Sequence, residues 1–281
     1  KVYGNSHGQL VGYPSSRHSL SCVVIGEDGD DMQRDYSYTV ARVLGALLDP
    51  TQIGREAALE TVQRLNGRKL GTQKVPVIFR ADIASSIFGH LVSAISGGSI
   101  YRKSSFLLDK VGQPVMSDKV TIIERPHLKQ ALASSPFDGE GVKTRDLTVL
   151  DKGVLNTYLT TSYSGRKLGL PSTGHAGGIH NWLVQHGDAD LAQLCRDMGT
   201  GLLVTELMGQ GVNGVTGDYS RGAAGFWVEN GQVQYPVSEI TIAGNLKEMF
   251  FDIAAVGNDV DKRGGVLTGS VLIGQMQIAG H

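Results

Sequence analysis

The side chains able to do chemistry in this sequence fall in a few places. His175, His180 and His186 follow one another at intervals of five and six residues, in a stretch carrying Gly174, Gly177 and Gly178. Imidazoles so placed could act as a general base or bind zinc. Neither interval is the i, i+4 spacing that sets two imidazoles on one helix face, and the glycines imply a loop. Loop histidines that hold no metal are the more ordinary outcome. Ser220 lies in Gly217-Asp218-Tyr219-Ser220-Arg221-Gly222, one residue too long before the serine for a G-x-S-x-G nucleophile elbow. A triad assembled in space stays open, against the commoner case of a surface serine. Gly209-Gln210-Gly211-Val212-Asn213-Gly214 is literally G-x-G-x-x-G. A dinucleotide site needs a helix N-terminus next, whereas Val215 to Gly225 has turn and strand composition. A glycine-rich β segment where another backbone, such as a peptide's, comes close fits better. His90 closes Ser85-Ser86-Ile87-Phe88-Gly89-His90 inside an apolar run. A lone histidine there is ordinarily a core residue. Arg102 and Lys103, just after Gly97-Gly98, could face a peptide carboxylate or an acidic partner surface, or simply be solvated.

These residues need elements to hold them. Ser19 to Ile25 reads as a strand closed by Glu27-Asp28-Gly29-Asp30. Val40, Val43, Leu44, Leu47 and Leu48 show the 3, 4 spacing of an amphipathic helix over Tyr36 to Leu48, which Asp49-Pro50 would end. Gly54 to Leu65 repeats that pattern. Val75 to Phe79 is a short buried strand. Ala81 to Ile95 is a third helix, apolar enough to sit deep in the core, with Asp82 suited to the positive end of its dipole. Beyond it the chain turns β-rich, with strands at Val120 to Glu124, Leu147 to Leu150, Val154 to Thr161, Gly201 to Leu207, Gly225 to Glu229, Val233 to Pro236, Glu239 to Ile242 and Val266 to Ile278. Asp151-Lys152-Gly153 and Glu229-Asn230-Gly231 are hairpin turns. Helices are expected over Asp188 to Met198, capped by Asp188, and over Asn245 to Val256. Strands grouped after helices favour an α+β fold, β-rich, with largely antiparallel sheets and packed helices. The expected division is a helix-rich segment, 1–115, and a β-rich domain, 116–281.

Composition narrows the function. The 281 residues carry 26 Lys+Arg against 27 Asp+Glu, a net charge of −1, so no basic excess recruits nucleic acid or an anionic membrane. With 41% apolar residues a sizeable core is possible, and no apolar run is long enough to cross a bilayer. Glycine, at 38 residues, is about twice its usual share while proline is only 8, which points to tight turns and close backbone approaches. Cys22 and Cys195 are far apart, which excludes a disulfide scaffold and a multi-cysteine zinc site and suits a cytoplasmic protein. The opening at Lys1 reads as the middle of a longer protein whose N-terminal part precedes it.

The sequence resembles the TldD/PmbA metalloprotease family, on its PmbA (TldE) branch. Phe88-Gly89-His90-Leu91-Val92, Ala94 to Ser99, Tyr101 to Leu107, Gly139-Glu140-Gly141, Arg166 to Gly169 and Ser172-Thr173-Gly174 carry the resemblance. Its longest match runs from Thr205 to Leu246, and it covers essentially the whole chain as the last two thirds of a family member. In the TldD branch the corresponding helix carries H-E-x-x-x-H, whose two histidines bind zinc with a later cysteine while the glutamate activates water. Those positions fall here on Ser85, Ser86 and His90, and only His90 matches. Val256 to Ser270 contains no cysteine.

Zinc in a hydrolase takes three protein ligands plus water, and a serine hydroxyl is neither a good ligand nor a base near neutral pH. The expectation is therefore a chain without catalytic residues or metal of its own, in which Ser85, Ser86 and His90 are remnants. The resemblance implies a TldD-like catalytic partner that supplies zinc, peptide or unfolded-polypeptide substrates, maturation of a modified peptide antibiotic and degradation of an antitoxin, with a homodimer as another assembly. Gly209, Gly211, Asn213 and Arg102 are the expected substrate contacts, the glycines offering a sheet edge to an extended peptide. A self-sufficient zinc metallopeptidase, a serine hydrolase around Ser220 and a non-enzymatic scaffold or peptide-binding module are the alternatives.

Overall fold

The computed structural model describes residues 1–280. A short hairpin, β1 (Val2–Gly4) and β2 (Leu10–Gly12), precedes a long one, β3 (His18–Asp28) and β4 (Asp31–Ala41). The helix expected over Tyr36 to Leu48 is thus mostly strand, followed by a 3-10 turn at Leu44–Ala46. Tyr36, Tyr38 and Val40 also alternate with period two, and pairing Tyr38 with Ser21 and Tyr36 with Val23 gives the aromatic and β-branched residues a full ladder. Next comes α1 (Pro50–Gln63), which starts earlier than expected. Asp49 accepts a bond from the Thr51 N–H at 2.8 Å and Pro50 takes the first helical turn, so Asp49-Pro50 opens this helix rather than ending one. The helix buries Ile53, Ala57 and Thr61.

The sequence reading holds for β5 (Gln73–Phe79) and α2 (Ala81–Ala94). α2 has no polar cap, and its apolar stripe of Ala84, Ile87, Phe88 and Leu91 is wholly buried. Each of its three large side chains contributes roughly 1.5–3 kcal/mol by burial. After α3 (Gly97–Tyr101) the chain forms β6 (Ile122–Glu124), the hairpin β7 (Leu147–Asp151) and β8 (Val154–Leu155), α4 (Ser162–Leu168) and β9 (Trp182–Val184). α5 (Leu191–Met198) is capped by Asp190, two residues beyond the expected Asp188. Then come β10 (Gly201–Met208), β11 (Asp218–Glu229) and β12 (Gln232–Asn245), the last running unbroken through Pro236. α6 (Leu246–Phe251) is shorter than the helix expected to Val256, because Ile253 to Val256 leave it to pair as a strand. The chain ends in β13 (Ile253–Val256), β14 (Val266–Leu267) and β15 (Val271–Ala279).

The fold is α+β. The larger sheet has the order β12-β11-β10-β5-β15-β13, and β12 pairs with β15 as well, so five of its strands close into a ring. All its pairs are antiparallel except β10 with β5. The second sheet has the order β14-β9-β6-β7-β8. α2 shares one core with both: Ile87, Phe88 and Leu91 join Phe79, Ile122, Trp182, Tyr219 and Ile273. The other face of the larger sheet packs Ile78, Leu203 and Phe226 against Leu194 and Met198 of α5. Arginines tie the long β3–β4 hairpin and α1 to the rest. Arg64 pairs with Asp35 and with Glu206, and Arg80 bridges Glu60 at 2.7 Å and Asp82 at 2.8 Å. Among the described residues no helix is long and apolar enough to cross a membrane.

Candidate functional site

α2 carries Ser85, Ser86 and His90. Ser85 Oγ donates to the Asp82 carbonyl at 3.3 Å and Ser86 Oγ to the Ile83 carbonyl at 2.7 Å, so both hydroxyl protons are held by their own helix. His90 turns to β11, where its ring meets Tyr219 edge-on, 5.8 Å between centroids at 80°. Arg221 is two residues further along β11 and therefore on the same face. Burial lowers the His90 pKa, and the Arg221 charge adds to that. Burial also pushes the Tyr219 hydroxyl up to about 12. Among the described residues, His90 Nε2, Tyr219 Oη and Arg221 Nε are the buried side-chain polar atoms with no hydrogen-bond partner.

A zinc ion does not fit this helix. One imidazole is on offer, neutral serine hydroxyls are poor zinc ligands, and the guanidinium that disfavours a proton on His90 disfavours a divalent cation more. Ser220 neighbours Tyr219 on the strand, so its side chain leaves by the opposite face from the one His90 touches.

The connection from β10 to β11 holds Gly209, Gly211 and Asn213. This segment pairs with the start of β11, Val212 lying opposite Tyr219 and the Asn213 N–H donating to the Asp218 carbonyl at 2.8 Å, while β11 itself lies between β10 and β12. The close backbone approach at Gly211 is real, but the chain makes it with itself. Gly211 O accepts from the Ser220 N–H at 2.6 Å, and a Cβ on Gly211 would overlap the Ser220 carbonyl oxygen. Gly209 is an exposed turn residue. Asn213 Oδ1 caps the same turn, accepting from the N–H groups of Val215 at 2.9 Å and Thr216 at 3.3 Å.

Arg102 lies elsewhere. It is exposed, stacks its guanidinium over Tyr101 at 5.3 Å, and lines a cavity of about 260 Å³ with Gly98, Leu159, Tyr163, His175 and Ile179. Gly209, Gly211 and Asn213 are not among that cavity's walls.

Behind His175 stands a dense polar cluster centred on Glu124, at the end of β6. Glu124 Oε2 accepts from His175 Nε2 at 2.7 Å and from Trp182 Nε1 at 3.0 Å. Its Oε1 accepts from the His180 N–H at 2.7 Å and from His180 Nδ1 at 2.8 Å. Burial would raise the Glu124 pKa, but the hydrogen bonds from His175 and His180 outweigh it and hold the carboxyl down to about 2. His175 Nδ1 meets Thr173 Oγ1 at 2.8 Å, and Asp138 Oδ2 accepts from the Ala176 N–H at 3.0 Å, fixing the next residue. The loop turns back sharply enough for both histidines because Gly177 and Gly178 take φ of 104° and 123°. His186 is not part of the cluster; it is exposed, with Nδ1 on the Gly187 carbonyl at 2.7 Å. Sequence reasoning named the two histidines and missed Glu124. Its only signal was a carboxylate ending an apolar strand.

The α+β fold is one shared with known proteins of solved structure. The family model of the PmbA/TldA metallopeptidase central domain matches residues 1–65, and that of the C-terminal domain matches residues 72–280. The chain belongs to the PmbA/TldD metallopeptidase family, as its sequence resemblance implied. It is 58% identical to the metalloprotease PmbA of Escherichia coli O157:H7 over 281 residues, all of this chain and 62% of that protein. It is also 58% identical to the Haemophilus influenzae metalloprotease PmbA homolog over 282 residues, again 100% of this chain and 62% of the relative. The chain thus spans less than two thirds of the curated relatives it matches. A Bacteroides thetaiotaomicron protein described as a candidate modulator of DNA gyrase superposes with a TM-score of 0.93 at 30% identity, over 98% of this chain and 63% of its own. TldE of Thermococcus kodakarensis shares the fold, with a TM-score of 0.86 at 24% identity, covering 98% of this chain and 65% of its own.

Proposed function

We propose that this chain belongs to the non-catalytic member of a metallopeptidase assembly that acts on peptides or unfolded polypeptides in the cytoplasm. The zinc and the activated water would come from a TldD-like subunit carrying H-E-x-x-x-H. The observation that supports this reading is the state of α2: Ser85 and Ser86 bond back to their own helix, and the one imidazole left, His90, faces an arginine. That trio offers one imidazole, with no second good ligand and no carboxylate base beside it, short of the three ligands and activated water that a zinc hydrolase needs. The chain's role is then to shape the assembly and to meet substrate. Arg102 at the mouth of its cavity is suited to a peptide carboxylate.

The experiment is a peptidase assay on the full-length protein, alone and mixed with a TldD-type subunit, using an unfolded peptide with and without chelator. The expected result is no cleavage alone, chelator-sensitive cleavage in the mixture, and no loss of that activity in Ser86→Ala. Chelator-sensitive cleavage by the protein alone, abolished in His90→Ala, would refute the proposal in favour of a self-sufficient metallopeptidase.

A further inference from the structure

Glu124, His175 and His180 are 1%, 8% and 8% exposed. Their ligand-type atoms all lie within 4.8 Å of one another, and they are the one group of His, Cys, Asp or Glu among the described residues assembled closely enough to share an ion. A tetrahedral zinc with bonds of about 2.0–2.1 Å separates its donors by roughly 3.3 Å, and the two imidazole nitrogens now stand 2.7 and 2.8 Å from the Glu124 carboxylate oxygens, so the donors must spread to admit one. A carboxylate this buried ordinarily has a cationic partner. Among the described residues, Glu124 forms its ion-pair contacts with these two imidazoles and with no Lys or Arg.

We propose that Glu124, His175 and His180 form a binding site for a divalent transition-metal ion, zinc by the chemistry of its donors, separate from the α2 helix. Two imidazole nitrogens and one carboxylate oxygen suit zinc and leave a fourth position open. Binding requires each imidazole to turn a lone pair where it now donates. For His175 the proton moves from Nε2 to Nδ1, where Thr173 Oγ1 already waits at 2.8 Å, the outer-shell acceptor that metal-bound histidines generally have. For His180 it moves from Nδ1 to Nε2. The Trp182 indole N–H and the His180 backbone N–H stay on the carboxylate and keep it aimed. His175 also lines the 260 Å³ cavity that Arg102 borders, which gives the ion a route from solvent and places it beside that cavity.

The test is zinc binding by the purified full-length protein, stripped with chelator and measured by equilibrium dialysis against zinc alone. The variants are His180→Ala, Thr173→Val and His90→Ala, each checked for folding by circular dichroism. The expected result is one equivalent of zinc in wild type and in His90→Ala. Affinity should be lost in His180→Ala and fall about 10–100-fold in Thr173→Val, which keeps every ligand and guards against a merely misfolded alanine variant. Absence of stoichiometric zinc in the wild type, or binding unchanged by both His180→Ala and Thr173→Val, would overturn the site and leave the proposed function standing. Zinc lost in His90→Ala but kept in His180→Ala would overturn both.

Discussion

Tyr219→Phe is expected to stabilise this protein. Tyr219 is 1% exposed, and its hydroxyl makes no well-aligned hydrogen bond among the described residues, the neighbouring Arg221 guanidinium only lowering its pKa against the effect of burial. An unsatisfied buried hydroxyl costs about 1–3 kcal/mol. Removing it leaves the ring, and with it the edge contact to His90 and the packing beneath α2, in place. The oxygen vacates on the order of 10 Å³, and at about 24 cal/mol per Å³ that void costs only about 0.2 kcal/mol. The net expectation is a gain of about 1 kcal/mol, or roughly 2–4 °C in melting temperature for a domain of this size. Urea unfolding of wild type and variant under identical conditions measures it, with the midpoint moving up and the slope unchanged. A loss of about 1 kcal/mol or more would refute the reasoning, because it would mean that the hydroxyl has a bonded partner in solution and that the cluster with His90 and Arg221 is a satisfied network.

The other perturbations test the same core from different sides. Burial and Arg221 hold the folded-state pKa of His90 below its ordinary value of 6.5, so the unfolded chain binds the proton first as pH falls. Wild type should therefore lose stability on acidification below about pH 6.5 relative to His90→Gln, seen as a difference between their melting-temperature profiles, and parallel profiles would contradict the buried neutral imidazole. Gly225→Ala should destabilise by about 3 kcal/mol or more, since a Cβ there overlaps the Leu203 carbonyl where β10 and β11 meet, and soluble protein with an unchanged urea midpoint would show that those strands pack more loosely.

How far the sequence revealed this depended on whether its signals were local. α2 was legible because Ala81 to Ile95 is a single apolar run that only a core can accept. The α+β character was legible from the hairpin turns. Tyr36 to Leu48 was not, because its residues satisfy a period of two and a period near 3.6 at once, and only β3 alongside decides between them. Asp49-Pro50 carries two meanings, a stop for the segment before it and a start for the segment after it, and the helix it starts prevailed. The site divides the same way. Ser85, Ser86 and His90 could be placed on one helix, and their inertness argued, from residue type. Arg221, which completes the case, comes from a distant strand. Glu124 meets histidines 51 and 56 residues later, so no spacing rule could have joined them.

The ring of strands has a consequence for how the protein comes into being. β5 lies between β10 and β15, with Val77 opposite Leu202 on one side and Ile273 on the other. As the chain leaves the ribosome, this apolar segment is made long before either neighbour, and its second flank stays bare until Val271–Ala279 has been synthesised. Growth of the sheet therefore cannot keep pace with translation. Assembly of the ring should be slow and wait for β15, with the nascent chain dependent on chaperones that shield a sticky strand until that neighbour arrives.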